Sequence, residues 1–308
     1  MPSLPALSTF ASWRTIALLF ALLNLKSLPL AWHFRLFYRM YRTWYSRARV
    51  DRALQGYRSR AQSSSSSVHP IFQSETISLR SPILETDYNL HKSNSTYFAD
   101  LDESRTAVVT KLLVPGFRQG NINLEREGHR GRLSVMLGSV HTSFHREIRP
   151  YELYEVRSRV LGWDKKWVVI GSFFVRPGNK ETLLASALSK YVIKKGRFTV
   201  PPERCFITAG WMPERPESVD PSSEEASIAP TPQEGLVAAI PSSLGSTTEG
   251  LVEKLEKATA TETEAATSGS SSGEWDWHRI EQERLRGLQI AAGWLALDQE
   301  LKDEFLRI

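Results

Sequence analysis

A short stretch of the 308-residue chain gathers side chains that can do acid–base chemistry. Asp87, His91 and Asn94 fall within eight positions of one another. A carboxylate acts as a general base on water or attacks an electrophile directly, and a histidine or an asparagine orients the reacting groups. A helix-forming run begins near Thr96. The three residues therefore come directly before a helix N-terminus, whose unpaired N–H groups favour a developing negative charge.

The wider sequence around these residues resembles a family signature. Residues 85–97 read ETDYNLHKSNSTY, similar to the D-x-D-x-N-x-H-x-N-N-x-x-Y opening of hotdog-fold thioesterases of the 4-hydroxybenzoyl-CoA thioesterase type. Residues 149–164, RPYELYEVRSRVLGWD, look like a strand and turn of the branch that contains thioesterase superfamily member six. The similarity spans roughly residues 15–210. It departs from the pattern at Glu85, where the family has aspartate, and at Ser93, where it has asparagine.

The resemblance implies an acyl thioesterase that cleaves an acyl-CoA or acyl-carrier-protein thioester without a Ser-His-Asp triad. It makes Asp87 the base or nucleophile, lets His91 orient Asp87 or the thioester, and lets Asn94 donate a hydrogen bond or place the water. The residues expected to bind the substrate are Ser95, Thr96 and Tyr97. It also implies a homodimer, and the fungal relatives indicate specialised lipopeptide or polyketide metabolism. We expect neither a cofactor nor a metal.

The same residues have simpler interpretations. Asp87 taken alone is typical of an Asx turn, His91 is as readily structural, and Asn94 or Ser95 is a natural helix cap. A non-catalytic hotdog protein that binds acyl chains, or acts as a scaffold at a membrane, therefore remains an alternative. A hotdog dehydratase with a His/Asp pair is a third possibility, which the sequence context of Asp87 favours less.

The pattern of the core predicts an α+β fold of the hotdog type, an antiparallel sheet wrapped around one long helix. Apolar residues at three- and four-residue spacing predict a helix from Thr96 to Phe117, which Pro115-Gly116 should end, followed by a loop over 120–132. Runs of β-branched and aromatic residues predict strands at Phe72–Leu84, Leu133–Arg146, Tyr151–Trp163, Trp167–Arg176 and Leu183–Lys194.

The N-terminal segment has a composition of its own. Thr15–Phe34 is about long enough to cross a bilayer as a helix, although Asn24 and Lys26 weaken the pattern. We expect a single-pass membrane anchor that continues as a basic, aromatic interfacial helix to about Arg60, with the hotdog domain facing the cytosol. The alternatives are a cleaved signal peptide, a mitochondrial presequence and an amphipathic helix that lies in the interface.

Charge and cysteine content narrow the possible partners. The net charge is +5, and residues 1–50 contain no Asp or Glu, so the basic excess belongs to the N-terminal segment. Because these cations follow an apolar run, a membrane flank explains them better than a nucleic-acid surface, and we expect no nucleic-acid partner. The single cysteine, Cys205, excludes an intrachain disulfide.

Composition divides the chain into five segments. They are a hydrophobic and basic anchor at 1–61, a serine-rich linker at 62–69, the hotdog domain at 70–211, a disordered insertion rich in Pro, Ser, Glu and Thr at 212–274, and a C-terminal helix packing on the hotdog domain at 275–308.

Overall fold

A computed structural model describes residues 12–63, 68–216 and 276–305 of the chain. The predicted disordered insertion therefore lies almost entirely outside the described residues, as does the middle of the serine-rich linker. The helices are α1 (Trp13–Leu23), α2 (Ala31–Arg42), α3 (Arg47–Ser63), α4 (Asn94–Arg126), α5 (Pro202–Ala209) and α6 (Trp277–Phe305). The strands are β1 (Glu75–Arg80), β2 (Leu133–Phe144), β3 (Leu153–Trp163), β4 (Trp167–Arg176), β5 (Thr182–Lys195) and β6 (Phe198–Val200).

The strands form one antiparallel sheet in the order β1-β3-β4-β5-β2, and β6 pairs with the end of β5. The predicted strands that correspond to β2, β3, β4 and β5 are confirmed to within two residues at each end. The first strand is shorter than predicted, because Pro82 has no N–H to pair in a ladder, and a 3-10 turn, Ile83–Glu85, follows it.

The core lies between α4 and the sheet. Tyr97 and Leu101 on α4 are fully buried against apolar side chains of the strands. Successive side chains of β3 alternate between the two faces of the sheet, so Tyr154 and Val156 both point to this core. A long helix covered by a curled antiparallel sheet is the hotdog layout expected from the sequence.

The prediction that Pro115-Gly116 ends α4 is wrong, since the helix continues to Arg126. A proline removes one intrahelical hydrogen bond, but neighbouring structure stabilises this turn. Trp211 Nε1 donates to the carbonyl oxygen of Leu112 at 3.0 Å. Helix α5 crosses so closely that a Cβ on residue 116 would lie 2.8 Å from the backbone nitrogen of Ala209. The glycine at this position therefore permits a helix–helix contact rather than a helix end.

The single helix predicted over Thr15–Phe34 is also wrong, because two helices and a turn occupy this segment. Asn24 Nδ2 donates to Phe20 O at 2.8 Å at the end of α1, and Asn24 Oδ1 accepts from Leu84 N at 3.0 Å. Leu30, before α2, has left-handed backbone angles with φ 65°. Of the helices in the described ranges, none combines the length and the apolar character needed to cross a membrane.

The C-terminal helix packs on the outer face of β3. Leu288 and Ala291 of α6 form an apolar cluster with Leu161 and Val169 of the sheet. Arg284 Nη1 donates to the carbonyl oxygen of Trp163 at 2.5 Å. These contacts attach α6 to the strand whose inner face carries Tyr154.

Candidate active site

A short closed loop carries two of the three predicted catalytic residues. An antiparallel bridge between Thr86 and Lys92 closes the loop. Inside it, Asp87 N donates to His91 O at 3.0 Å, and Leu90 N donates to Asp87 O at 3.0 Å. Leu90 has a φ of 60°, which completes the reversal of the chain. The fold therefore places Asp87 and His91 opposite one another.

The side chains of Asp87 and His91 form a partly exposed pair. Asp87 Oδ1 lies 3.7 Å from His91 Nδ1, and the two side chains are 23% and 28% exposed. Asp87 Oδ1 also accepts from Asn89 N at 2.9 Å, which is the Asx turn that the simpler interpretation predicts. A carboxylate has about four acceptor sites. The turn and a chemical role for Asp87 are therefore compatible.

The N-terminus of α4 follows this loop directly. Ser93, rather than Asn94 or Ser95, occupies the N-cap position, and its side chain does not bond to the backbone of the first turn. Its hydroxyl lies 3.1 Å from that of Ser95, and its carbonyl oxygen accepts the hydroxyl proton of Thr96 at 2.7 Å. Asn94 and Ser95 are exposed and Thr96 is half-buried. The structure thus brings these three predicted residues together at an open helix N-terminus.

Tyr97 is in a different environment from the rest of the predicted set. Its ring is buried in the core, with centroid distances of 5.0 Å to Phe144 and 4.8 Å to Phe174. Burial, and then the charge of Asp100, raises the pKa of its hydroxyl. Tyr97 therefore supports the wall behind the α4 N-terminus, and its predicted contact with substrate stays a prediction.

A cluster of buried ionic and polar side chains lies beneath the loop, and the sequence did not predict it. This buried ion cluster consists of Lys26, Glu85, Lys92, Asp100 and Tyr154. Lys26 Nζ lies 2.8 Å from both Glu85 Oε2 and Asp100 Oδ1. Lys92 Nζ lies 2.6 Å from Glu85 Oε2 and 2.9 Å from Asp100 Oδ2. The hydroxyl of Tyr154 donates to Asp100 Oδ2 at 2.5 Å. Every member is thus paired, as buried charges must be.

The protonation states in the buried ion cluster follow from burial and charge. Burial alone would raise the pKa of Asp100, but the ammonium groups of Lys92 and Lys26 outweigh it and lower that pKa to about 2. Burial, and then the charge of Asp100, raises the pKa of Tyr154. Asp100 is therefore ionised at neutral pH, and Tyr154 remains a hydrogen-bond donor to it.

Two arginines of α2 extend the buried ion cluster outward. Arg35 pairs with Asp100 at 3.3 Å and also with Glu103, and Arg39 Nε lies 2.6 Å from Glu103 Oε1. Asp100 and Glu103 are one turn apart on α4, and both are buried. Three cations of the N-terminal segment, including Lys26, therefore neutralise carboxylates of the hotdog core.

The buried ion cluster is tied to both ends of the loop. The carbonyl oxygen of Glu85 accepts from Ser93 N at 2.8 Å, and Lys92 N donates to Ile148 O at 2.8 Å. Its members thus hold in place the segment that carries Asp87 and His91. Carboxylates on the apolar stripe of α4 are the one local signal that could have revealed such a cluster.

The cysteine is not an alternative nucleophile. Cys205 lies on α5, and burial raises the pKa of its thiol to about 12. The thiolate, which is the reactive form, is therefore scarce at neutral pH. The chemistry that the described residues support is that of a carboxylate beside a helix N-terminus, which suits attack of water on a carbonyl whose oxygen gains negative charge.

Comparisons with known proteins identify the family. Residues 81–204, which include the loop, α4 and the sheet from β2 onward, match the model of the thioesterase-like superfamily. Thioesterase lcsJ of Purpureocillium lilacinum is 35% identical in an alignment that covers 96% of this chain and 93% of the relative. The probable thioesterase atnL of Emericella nidulans is 35% identical over 68% of this chain and 75% of the relative.

Among solved structures, 4-hydroxybenzoyl-CoA thioesterase from a Pseudomonas species has a TM-score of 0.35 and 18% identity, over 44% of this chain and 99% of that one. The sequence similarity to lcsJ, over nearly the whole length of both chains, is what shows the family. The chain belongs to the thioesterase-like superfamily, and it is a thioester hydrolase.

Proposed function

We propose that the protein hydrolyses the thioester of an acyl-CoA or of an acyl chain on a carrier protein, with Asp87 as the reacting carboxylate. The observation that carries the proposal is the placement of the Asp87–His91 pair on a closed loop that runs directly into the open N-terminus of α4. The loop rests on the buried ion cluster and keeps its side chains partly exposed. A substrate can therefore reach the carboxylate from solvent.

The proposed reaction needs little beyond these groups. Asp87 takes a proton from water as that water attacks the thioester carbonyl, or attacks the carbonyl itself to give a mixed anhydride that water then cleaves. The N–H groups at the start of α4 stabilise the oxyanion. His91 orients Asp87, and Asn94 donates to the oxyanion or places the water. The thiolate leaves and takes a proton from solvent.

The test is thiol release from a panel of acyl-CoAs and acyl-carrier proteins by the full chain and by Asp87→Asn. We expect the substitution to lower kcat by about 10²–10⁴-fold, the range for losing a general base. Asp164→Asn is the matched control. Asp164 Oδ1 accepts from Lys166 N and Trp167 N at 2.6 Å, so it is also an Asx-turn residue, but it lies in the β3–β4 turn.

Equal turnover by wild type and Asp87→Asn would refute the assignment of the carboxylate. No release from either protein on any carrier would favour the alternative, a non-catalytic acyl-binding or scaffold protein. An enoyl thioester instead of free acid would indicate a dehydratase. Asparagine preserves the turn acceptor at both positions, so a loss confined to Asp87→Asn reports chemistry rather than folding.

The assembly and the location are further parts of the proposal. We propose a homodimer through β2, a 12-residue strand at the edge of the sheet with exposed side chains at Met136, Leu137 and Phe144. We also propose that the enzyme works at a membrane with its hotdog domain in the cytosol, mitochondria being the alternative, and that its pathway is fungal specialised metabolism. The apolar surface of the N-terminal helices and the resemblance to fungal thioesterases support these parts.

A further inference from the structure

Helix α1 is apolar around most of its circumference and yet exposed. Six of its large apolar side chains are between 54% and 73% exposed: Trp13, Ile16, Leu18, Leu19, Leu22 and Leu23. A helix of this kind is normally buried in a protein core or in lipid. A contiguous exposed apolar surface of this extent therefore marks an interaction site.

Helix α2 has its polar and apolar sides in the reverse of the usual arrangement. Its charged residues Arg35 and Arg39 face the protein, where they pair with Asp100 and Glu103. Its opposite side exposes four aromatic residues at helical spacing: Phe34, Phe37, Tyr38 and Tyr41. A helix on a water-facing surface has the reverse arrangement. Aromatic side chains are instead enriched where a protein meets the headgroup region of a bilayer.

Cations border the aromatic side of α2. Arg42, Arg49 and Arg52 line an open groove of about 960 Å³, together with the aromatic residues Tyr41, Trp44 and Tyr45. Guanidinium groups bind phosphate in a bidentate manner. Residues 1–50 contain no Asp or Glu that would repel an anionic surface. The charge pattern thus complements phosphate headgroups.

We infer that α1 and the outer side of α2 form a docking surface that inserts into one leaflet of an anionic membrane without crossing it. The described α1 has 11 residues, about 16 Å at a rise of about 1.5 Å per residue, against a hydrocarbon thickness of about 30 Å. Lys26, three residues after the end of α1, is held in the buried ion cluster. The chain therefore returns to the hotdog core at the depth where a spanning helix would have to continue.

A largely apolar groove at the same surface suits the acyl chain of a substrate, an assignment that rests on the proposed function. It has a volume of about 730 Å³ and is lined by Leu22, Leu23 and Phe34 of the docking surface and by Leu79 of β1. Lys26 is also part of its wall, so the groove extends from the lipid-facing side to the buried ion cluster beneath the candidate loop. This places the enzyme where acyl chains concentrate. The docking surface itself does not depend on the proposed hydrolysis.

The test is sedimentation of the full chain with vesicles of phosphatidylcholine, with and without phosphatidylserine. We expect binding that requires phosphatidylserine and falls with salt. The double variant Ile16→Asp/Leu19→Asp should weaken it by about a hundredfold or more, because each apolar side chain that no longer enters lipid costs about tenfold. Ile290→Asp, at an equally exposed apolar position on α6, should bind like wild type. Arg42→Gln/Arg49→Gln should weaken binding by about fivefold for each arginine.

A second experiment tests how deeply the docking surface enters the bilayer. The full chain, with an N-terminal epitope tag, is synthesised in the presence of sealed microsomes. The tag should be accessible to protease from the same side as the hotdog domain, whereas a protected tag would overturn the one-leaflet arrangement.

Failure of the wild type to bind vesicles would overturn the docking surface. So would self-association through α1 without vesicle binding, since a second copy would then be the occupant. Unfolding midpoints and thiol release from a short, soluble acyl-CoA should match wild type in these variants. A folding defect and a failure of the proposed hydrolysis can therefore each be distinguished from a loss of membrane binding.

Discussion

At the scale of single residues, Lys26 has the most consequential environment in the chain. It lies in an apolar run, where it resembles a defect in a membrane helix, but its ammonium group is bonded to Glu85, Asp100 and Tyr154. These partners are 59, 74 and 128 positions away. Removal of one partner from a buried ionic group leaves the others less well compensated, at a cost of up to about 3–5 kcal/mol.

The first prediction at this scale concerns Lys26→Met, which keeps the length of the side chain and removes its charge. We expect a loss of up to about 3–5 kcal/mol in the free energy of unfolding, because Lys92 is then the only ammonium group of the buried ion cluster that pairs with Asp100 and Glu85. Thiol release should also fall, through a lower kcat, since the loop that bears Asp87 loses part of its support. Denaturant unfolding and steady-state kinetics measure the two effects.

Lys195→Met is the control for that prediction. Lys195 is also buried, and it pairs with Glu125 at 2.8 Å near the far end of α4. The Lys195→Met substitution should lower the stability less than Lys26→Met does, because Glu125 is 55% exposed and water compensates its charge. Its kcat at a temperature where it is folded should equal that of wild type. A Lys26→Met enzyme with unchanged kcat would show that the buried ion cluster does not position the loop.

At the scale of elements, α4 shows how neighbours override a local stop signal. Beyond Pro115 the helix is held by Leu124, which is fully buried, and by Lys195, whose ammonium group donates to Asn121 and Glu125. Proline and glycine are local signals, but these contacts come from β5 and α5. In the N-terminal helices, distant contacts instead interrupt a helix that the local sequence favours. The apolar run is broken where Asn24 and Lys26 bond to residues of the core.

The prediction at this scale concerns how α6 is attached. A Cβ at Gly287 would overlap the carbonyl oxygen of Leu161 on β3, whereas a Cβ at Gly293 meets nothing within 4 Å. Gly287→Ala should therefore loosen α6 and destabilise the fold, while Gly293→Ala should stabilise it by about 0.4–1 kcal/mol through a less flexible unfolded chain. Thermal unfolding of the two variants measures the difference. Equal midpoints would mean that α6 does not pack on β3 in solution.

At the scale of the whole molecule, the outer edge of β2, with which no other strand pairs among the described residues, is the feature to explain. A long edge strand with exposed apolar side chains associates readily with a second strand unless charges protect it. We expect the full chain to be a dimer, with twice the 34.9 kDa mass of one copy by light scattering in detergent. Leu137→Lys should dissociate it and lower thiol release, because the family resemblance implies a site between subunits.

Leu183→Lys is the matched control for the dimer, since Leu183 is about as exposed but begins β5, which lies between β4 and β2. It should leave the mass unchanged. A Leu137→Lys protein that remains dimeric would place the interface elsewhere, and a fully active monomer would remove the shared site.

Much of the fold and part of the candidate site followed from local patterns. The strands from Leu133 onward were predictable because period-two alternation and turn residues are local properties. The family signature selected Asp87 and His91, which the fold then places face to face across a closed loop. The structure starts the predicted helix at Asn94, two residues before Thr96, and it buries Tyr97 in the core.

By itself, the sequence determined the order of the central helix and the main strands, the candidate carboxylate and the apolar, acid-free character of the N-terminal segment. Only the tertiary structure decided that Lys26, Arg35 and Arg39 neutralise buried carboxylates, and that α2 turns its aromatic side outward. The physical reason is the separation along the chain over which the two kinds of interaction act. Hydrophobic periodicity and turn propensity act over a few residues, whereas a buried charge is stabilised by whichever opposite charge the fold brings within about 3–4 Å, at any separation along the chain.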